Sequence, residues 1–128
     1  MARRFAPQSG AIPVLLADSI TEVRPADAGS IVISGSHGGS SATAYAVPVV
    51  LKGCFFNDAG IGKESAGIAG LGQLRCPAAA YSHDTARIGD AADGWQNGVI
   101  SAVNDLARDA GLSPGMSVHE AVKRLLEL

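Results

Sequence analysis

Four short apolar runs constrain this chain more than any other feature, because none of them alternates between apolar and polar residues. Residues 12–17 read Ile-Pro-Val-Leu-Leu-Ala, and residues 31–33 read Ile-Val-Ile. Residues 49–56 carry Val49, Val50, Leu51, Cys54, Phe55 and Phe56, and residues 77–81 read Pro-Ala-Ala-Ala-Tyr. A strand that is apolar on both faces has to be buried on both faces, which is the requirement of a mainly parallel sheet covered on two sides. The runs therefore predict an α/β protein: a three-layer, mostly parallel and possibly mixed sheet of about four strands, with helices on both faces. Residues 18–30 are few for a full crossover helix, so an α+β arrangement or a swivelling β/α barrel stands as the alternative.

Helical expectations follow from spacing and caps. Residues 40–47, rich in Ala and Ser and followed by Pro48, predict a short helix. Ile68, Leu71 and Leu74 predict a helix over 63–74, and Val99, Ile100, Val103, Leu106, Ala107 and Ala110 predict one over 99–110 that stops at Gly111. Ser117 with Glu120 forms a capping box that opens a last helix, with Val118, Val122 and Leu125 facing inward. Residues 1–10 read as a flexible N-terminal arm and residues 11–128 as one domain.

Composition narrows the partners. Ten basic against twelve acidic residues give a net charge of −2. There is no basic stripe to neutralise phosphates, so nucleic acid is not expected. No apolar run approaches the ~20 residues that span a bilayer, so no membrane is expected either. Hydrophobic residues make up 47% and charged residues 17%, which leaves few charges to cover a small domain and predicts a homo-oligomer. Met-Ala-Arg-Arg is followed by residues 5–10 without an apolar signal core, so a cytoplasmic protein with reduced thiols is expected. Cys54, inside a strand before two phenylalanines, and Cys76, before Pro77, read as structural thiols.

The chemistry is expected where parallel strands end, since open sheets bind ligands outside their carboxyl edge. The runs end in Asp18-Ser19, in Ser36-His37-Gly38-Gly39, in Asn57-Asp58 and in Ser82-His83-Asp84. Asp, Asn, Ser and Gly are common after strands as turn residues and caps, but histidine has no comparable reason to be there. His37 or His83 is expected to move a proton, with Asp58 or Asp84 orienting it and Ser36 as nucleophile or donor. Asp18, Ser19, Asn57, the Gly38 and Gly39 amides and Arg87 are the expected substrate contacts, Arg87 being suited to a carboxylate or amide oxygen.

Ser34-Gly35-Ser36-His37-Gly38 resembles the nucleophile elbow of α/β-hydrolases, with Ser34 where that motif has glycine; those enzymes are much longer than this chain. A His-Gly pair after one strand and a cysteine after another is similar to the caspase-like peptidases, but the placement of Cys54 within a strand argues against a nucleophilic thiol. Residues 60–64 suggest a phosphate loop around Lys63, yet the Walker and dinucleotide glycine spacings are absent. His37, Asp58, His83 and Asp84 are of the types that hold zinc or iron, without a spacing that supports it, and no cofactor is expected. His119 is expected in solvent and Trp95 as a packing anchor. The expectation is a small hydrolase or lyase acting on a small polar metabolite. The alternative is a non-catalytic subunit or ligand-binding module that completes a partner's site.

Overall fold

The computed structural model describes residues 3–7 and 10–128. Six strands form one sheet in sequence order: β1 (Arg3–Phe5), β2 (Val14–Ala17), β3 (Ile31–His37), β4 (Gly53–Asn57), β5 (Ala78–Tyr81) and β6 (Ile100–Val103). β2 to β5 are parallel, with Val14 opposite Ile31, Ile31 opposite Gly53, and Cys54 opposite Ala78. β1 and β6 close the two edges antiparallel. The sheet is mixed and the class is α/β, with six strands where about four were expected.

The absence of alternation in the sequence has a direct cause. Val14, Leu16, Ile31, Ile33, Phe55, Ala79 and Tyr81 enter one buried cluster, and the intervening Leu15, Ala17, Val32, Cys54, Phe56, Ala78 and Ala80 enter another on the opposite face. Successive parallel strands that step in one direction place right-handed crossovers all on one face. Accordingly, the three crossovers bury Ile20, Ala46, Leu51, Leu71 and Leu74 together. The chain after β5 buries Ala86, Ala91 and Trp95 on the other face.

The helices are unevenly shared between these faces. α2 (Ala91–Asn97), α3 (Asp105–Asp109) and α4 (Val118–Leu126) contribute Ala91, Trp95, Ala107, Val118, Ala121, Val122 and Leu125 to the first cluster. Among the described residues, the crossover face carries only α1 (Ser40–Thr43) and short 3-10 turns. This differs from full helices on both faces. The short 18–30 gap is bridged by 3-10 turns at Ile20–Glu22 and Pro25–Asp27, and β2 and β3 are still parallel.

Other expectations shift for local reasons. The helix expected over 63–74 is two 3-10 turns, Lys63–Ser65 and Leu71–Gln73, because Gly67 and Gly70 abut backbone: a Cβ at Gly67 would overlap the Asp58 carbonyl oxygen, and one at Gly70 would lie 2.6 Å from the Gly39 oxygen. The helix expected over 99–110 divides into β6 and α3, with Asn104 at the break accepting from the Ala107 amide as an N-cap. Ser117 caps α4 as expected, accepting from the Glu120 amide at 3.1 Å. Within the expected arm, Arg3–Phe5 is an edge strand, and Arg3 grips Asp27 through two 2.8 Å hydrogen bonds. Residues 1, 2, 8 and 9 of that arm lie outside the described residues.

Candidate functional site

The chain leaves β4 toward the crossover face and leaves β5 toward the opposite one. Neighbouring strand ends whose connections part in this way open a crevice between them, the usual ligand position in an open α/β sheet. Asp58 follows β4, and His83 comes two residues after β5.

Asp58 is buried, and its position is over-determined. Oδ1 accepts from the Gly60 amide at 2.7 Å and the His83 amide at 3.0 Å, and Oδ2 accepts from Ser101 Oγ at 2.7 Å. Burial pushes its carboxyl up, but the hydrogen bonds from Ser101, Gly60 and His83 and the nearby imidazole outweigh this and hold it below the ordinary carboxylate value. An ionised carboxylate can only accept, and Oδ1 lies 3.3 Å from His83 Nδ1. That separation is longer than a tight hydrogen bond. The imidazole rests on Gly60, where an added Cβ would lie 3.4 Å from Cε1. Its outer nitrogen, Nε2, is 3.2 Å from Asp84 Oδ1, and the Asp84 side chain is 82% exposed. Little holds Asp84 in place.

His37, at the end of β3, is half-buried, and its Nδ1 accepts from the Gly39 amide at 3.0 Å. That bond places the ring proton on Nε2, which has no partner among the described residues. The turn after His37 and the turn after β4 meet at Gly67, whose carbonyl accepts from the Gly38 amide at 2.8 Å and whose α-carbon lies against the Asp58 carbonyl.

The remaining expected site residues are engaged in the scaffold. Gly38 and Gly39 were expected to offer open amides to an anionic oxygen, but one donates to Gly67 and the other to His37. Ser36 Oγ accepts from the Ile20 amide at 3.0 Å. Asp18 caps α2 through the Ala91 amide at 2.9 Å, and Ser19 caps the Ile20–Glu22 turn. Asn57 is fully buried, donating to the Ala86 carbonyl and accepting from the Ala59 amide. Arg87 donates its backbone amide to Asp93, and its exposed guanidinium, which makes no hydrogen bond or ion pair among the described residues, adds its charge to the groups that hold the Asp93 carboxyl down. The parallel strands thus bring Asp18, Ser36, His37, Asp58, His83 and Asp84 to one edge, where Asp58, His83 and Asp84 touch.

Ser101 lies in a segment whose apolar spacing reads as helix, so the sequence does not single it out. The Asn-Asp pair at 104–105 is the signal that places the helix start later and leaves 100–103 as a strand. Cys54 and Cys76 are free and buried; burial pushes both thiols up, Cys76 to about 11. His119 is stacked on Trp95, with ring centroids 3.9 Å apart, beside a separate open groove of about 800 Å³. Among the described residues, no group of three His, Cys, Asp or Glu side chains is placed to hold a metal ion. No helix among them is long and apolar enough to cross a membrane.

Fold and crevice together define an α/β protein with a carboxylate–imidazole pair at the carboxyl edge of its parallel strands. Comparison with protein-family models, curated proteins and solved structures gives no match.

Proposed function

We propose that this chain is a small enzyme, a hydrolase or lyase, in which His83 moves a proton for a small polar metabolite bearing a carboxylate or amide. The observation that carries the reading is the pinned Asp58 carboxylate beside His83 in the β4/β5 crevice. Asp58 orients the ring and offsets the imidazolium charge that forms when the ring takes a proton. Asp84 yields its place on Nε2 to the substrate, and the exposed Arg87 guanidinium holds the substrate's carboxylate or amide oxygen. The proposal includes a cytoplasmic homo-oligomer that works without a metal or organic cofactor.

The test is turnover on a panel of small esters, amides and oxo acids by wild type, His83→Gln and Asp58→Asn, with circular dichroism to establish folding. Activity should fall about a hundredfold or more in His83→Gln. Equal turnover by wild type and a folded His83→Gln variant refutes the assignment.

A second reading, a subunit that completes a partner's site, is favoured by a different observation. Tyr45, Val47 and Val50 are each exposed in the segment between α1 and β4. Co-purification with an unrelated chain, together with turnover only in that complex, would favour it.

A further inference from the structure

We propose that the two histidines at this edge divide the work of removing a proton from carbon, so that the substrate is a small carbonyl compound and the reaction proceeds through its enolate. The inference rests on the reading of His83 given above and replaces hydrolysis with carbon–proton chemistry, the first step of a lyase or an isomerase.

Acyl transfer needs a nucleophile and an open set of oxyanion donors. The residues the sequence offers for these roles are otherwise engaged. Ser36 Oγ is held by the Ile20 amide and touches no histidine, and both thiols are buried. The Gly38 and Gly39 amides are consumed by Gly67 and His37.

Enolisation needs one base and one neutral donor, and the two imidazoles are held in states that differ in this way. His83 turns Nδ1 toward an acceptor-only carboxylate, so Nε2 is the nitrogen left to accept a proton once Asp84 moves aside. His37 accepts from the Gly39 amide at Nδ1, so its open Nε2 is a donor and cannot act as a base without breaking that bond. β3 and β5 flank β4, which sets their backbones about 10 Å apart, two strand spacings. Gly67 ties the two turns together, its carbonyl accepting from the Gly38 amide and its α-carbon lying against Asp58.

In the step itself, the C–H bond next to the carbonyl breaks and its proton goes to His83 Nε2. The electron pair forms a C=C bond, and the carbonyl π pair moves to oxygen. That oxygen accepts a hydrogen bond from His37 Nε2–H. The imidazolium, held by Asp58, then returns the proton to that carbon as the C=O bond re-forms. No oxidant, reductant or co-reactant is required.

Two measurements test the proposal. Long-range proton–nitrogen spectra of the protein labelled with ¹⁵N-histidine, assigned with His37→Gln and His83→Gln, should show His37 protonated at Nε2 and bare at Nδ1. A His37 protonated at Nδ1 overturns the proposal. The second follows loss of the methyl proton signals of hydroxyacetone and pyruvate in D₂O. Wild type should accelerate exchange of at least one, with a loss of about a hundredfold in His83→Gln and in His37→Gln, and none in His119→Gln. Hydrolysis of p-nitrophenyl acetate that depends on His83, without carbon–proton exchange, overturns this inference and leaves the acid–base reading intact. If neither reaction depends on His83, both fall.

Discussion

Replacing Asp58 tests the scaffold of the site and its charge at once. Asp58→Ala removes the acceptor for the Gly60 amide, the His83 amide and the Ser101 hydroxyl, all within 3.0 Å of a carboxylate whose side chain is 5% exposed. Each hydrogen bond to a charged group contributes about 1.5–3 kcal/mol, and the sum is reduced where water can reach the freed donor. Gly60 and His83 are exposed and Ser101 half-buried, so all three freed donors rehydrate in part. The expected loss for Asp58→Ala is about 2–4 kcal/mol, and about 1–2 kcal/mol for Asp58→Asn, whose amide oxygen still accepts from both backbone amides.

The dependence on pH separates charge from shape. The folded protein holds the Asp58 carboxyl below its ordinary value, so ionisation of Asp58 favours the folded state. That contribution is complete above the unfolded carboxyl value of ~3.9 and is lost as pH falls through the lower folded-state value. Urea unfolding should therefore show wild type ahead of Asp58→Asn near neutral pH, with the gap shrinking below pH ~4. A gap that stays constant down to pH ~2, or an Asp58→Ala cost below about 0.5 kcal/mol, would refute the reasoning.

Three further outcomes are expected. Asn104 is buried and makes four side-chain hydrogen bonds, accepting from the Ala78 and Ala107 amides and donating to the Leu71 and Cys76 carbonyls; Asn104→Ala should cost about 3–5 kcal/mol in urea unfolding. Gly94→Ala would place a Cβ 2.6 Å from Tyr81 Cζ, pushing α2 off the sheet, and should lower the unfolding midpoint by the equivalent of about 1–3 kcal/mol without moving histidine resonances of the crevice. Arg3→Met should leave Asp27, whose side chain is 6% exposed, with only the Arg24 amide as donor, costing about 2–3 kcal/mol at neutral pH and less in acid, where wild type loses the pair as Asp27 protonates.

The edge of the sheet that carries the candidate site could be read from the chain because burial on two faces leaves unalternating apolar runs. A parallel arrangement then sends every run's polar ending to one side, which brought His37, Asp58 and His83 to a common edge. Helices over 63–74 and 99–110 could not be told from apolar spacing alone, since spacing of three or four residues also arises in 3-10 turns and in a strand followed by a helix. Packing decided those segments, through Gly67 and Gly70 pressed on neighbouring backbone and Asn104 bonded to three separate stretches of chain.

What the sequence by itself determined is the class of fold, the sheet edge and the residue types at it, because these depend on local hydrophobicity and on strand direction. Only the tertiary structure decided which of those polar groups remain open for chemistry. Asp18, Ser36, Asn57 and the Gly38 and Gly39 amides are consumed by bonds to residues up to 73 positions away in the chain. Asp58 acquires Ser101 from a strand 43 residues on. A hydrogen bond depends on where two atoms meet in space, and for groups so far apart along the chain that meeting is set by the packing of the whole sheet.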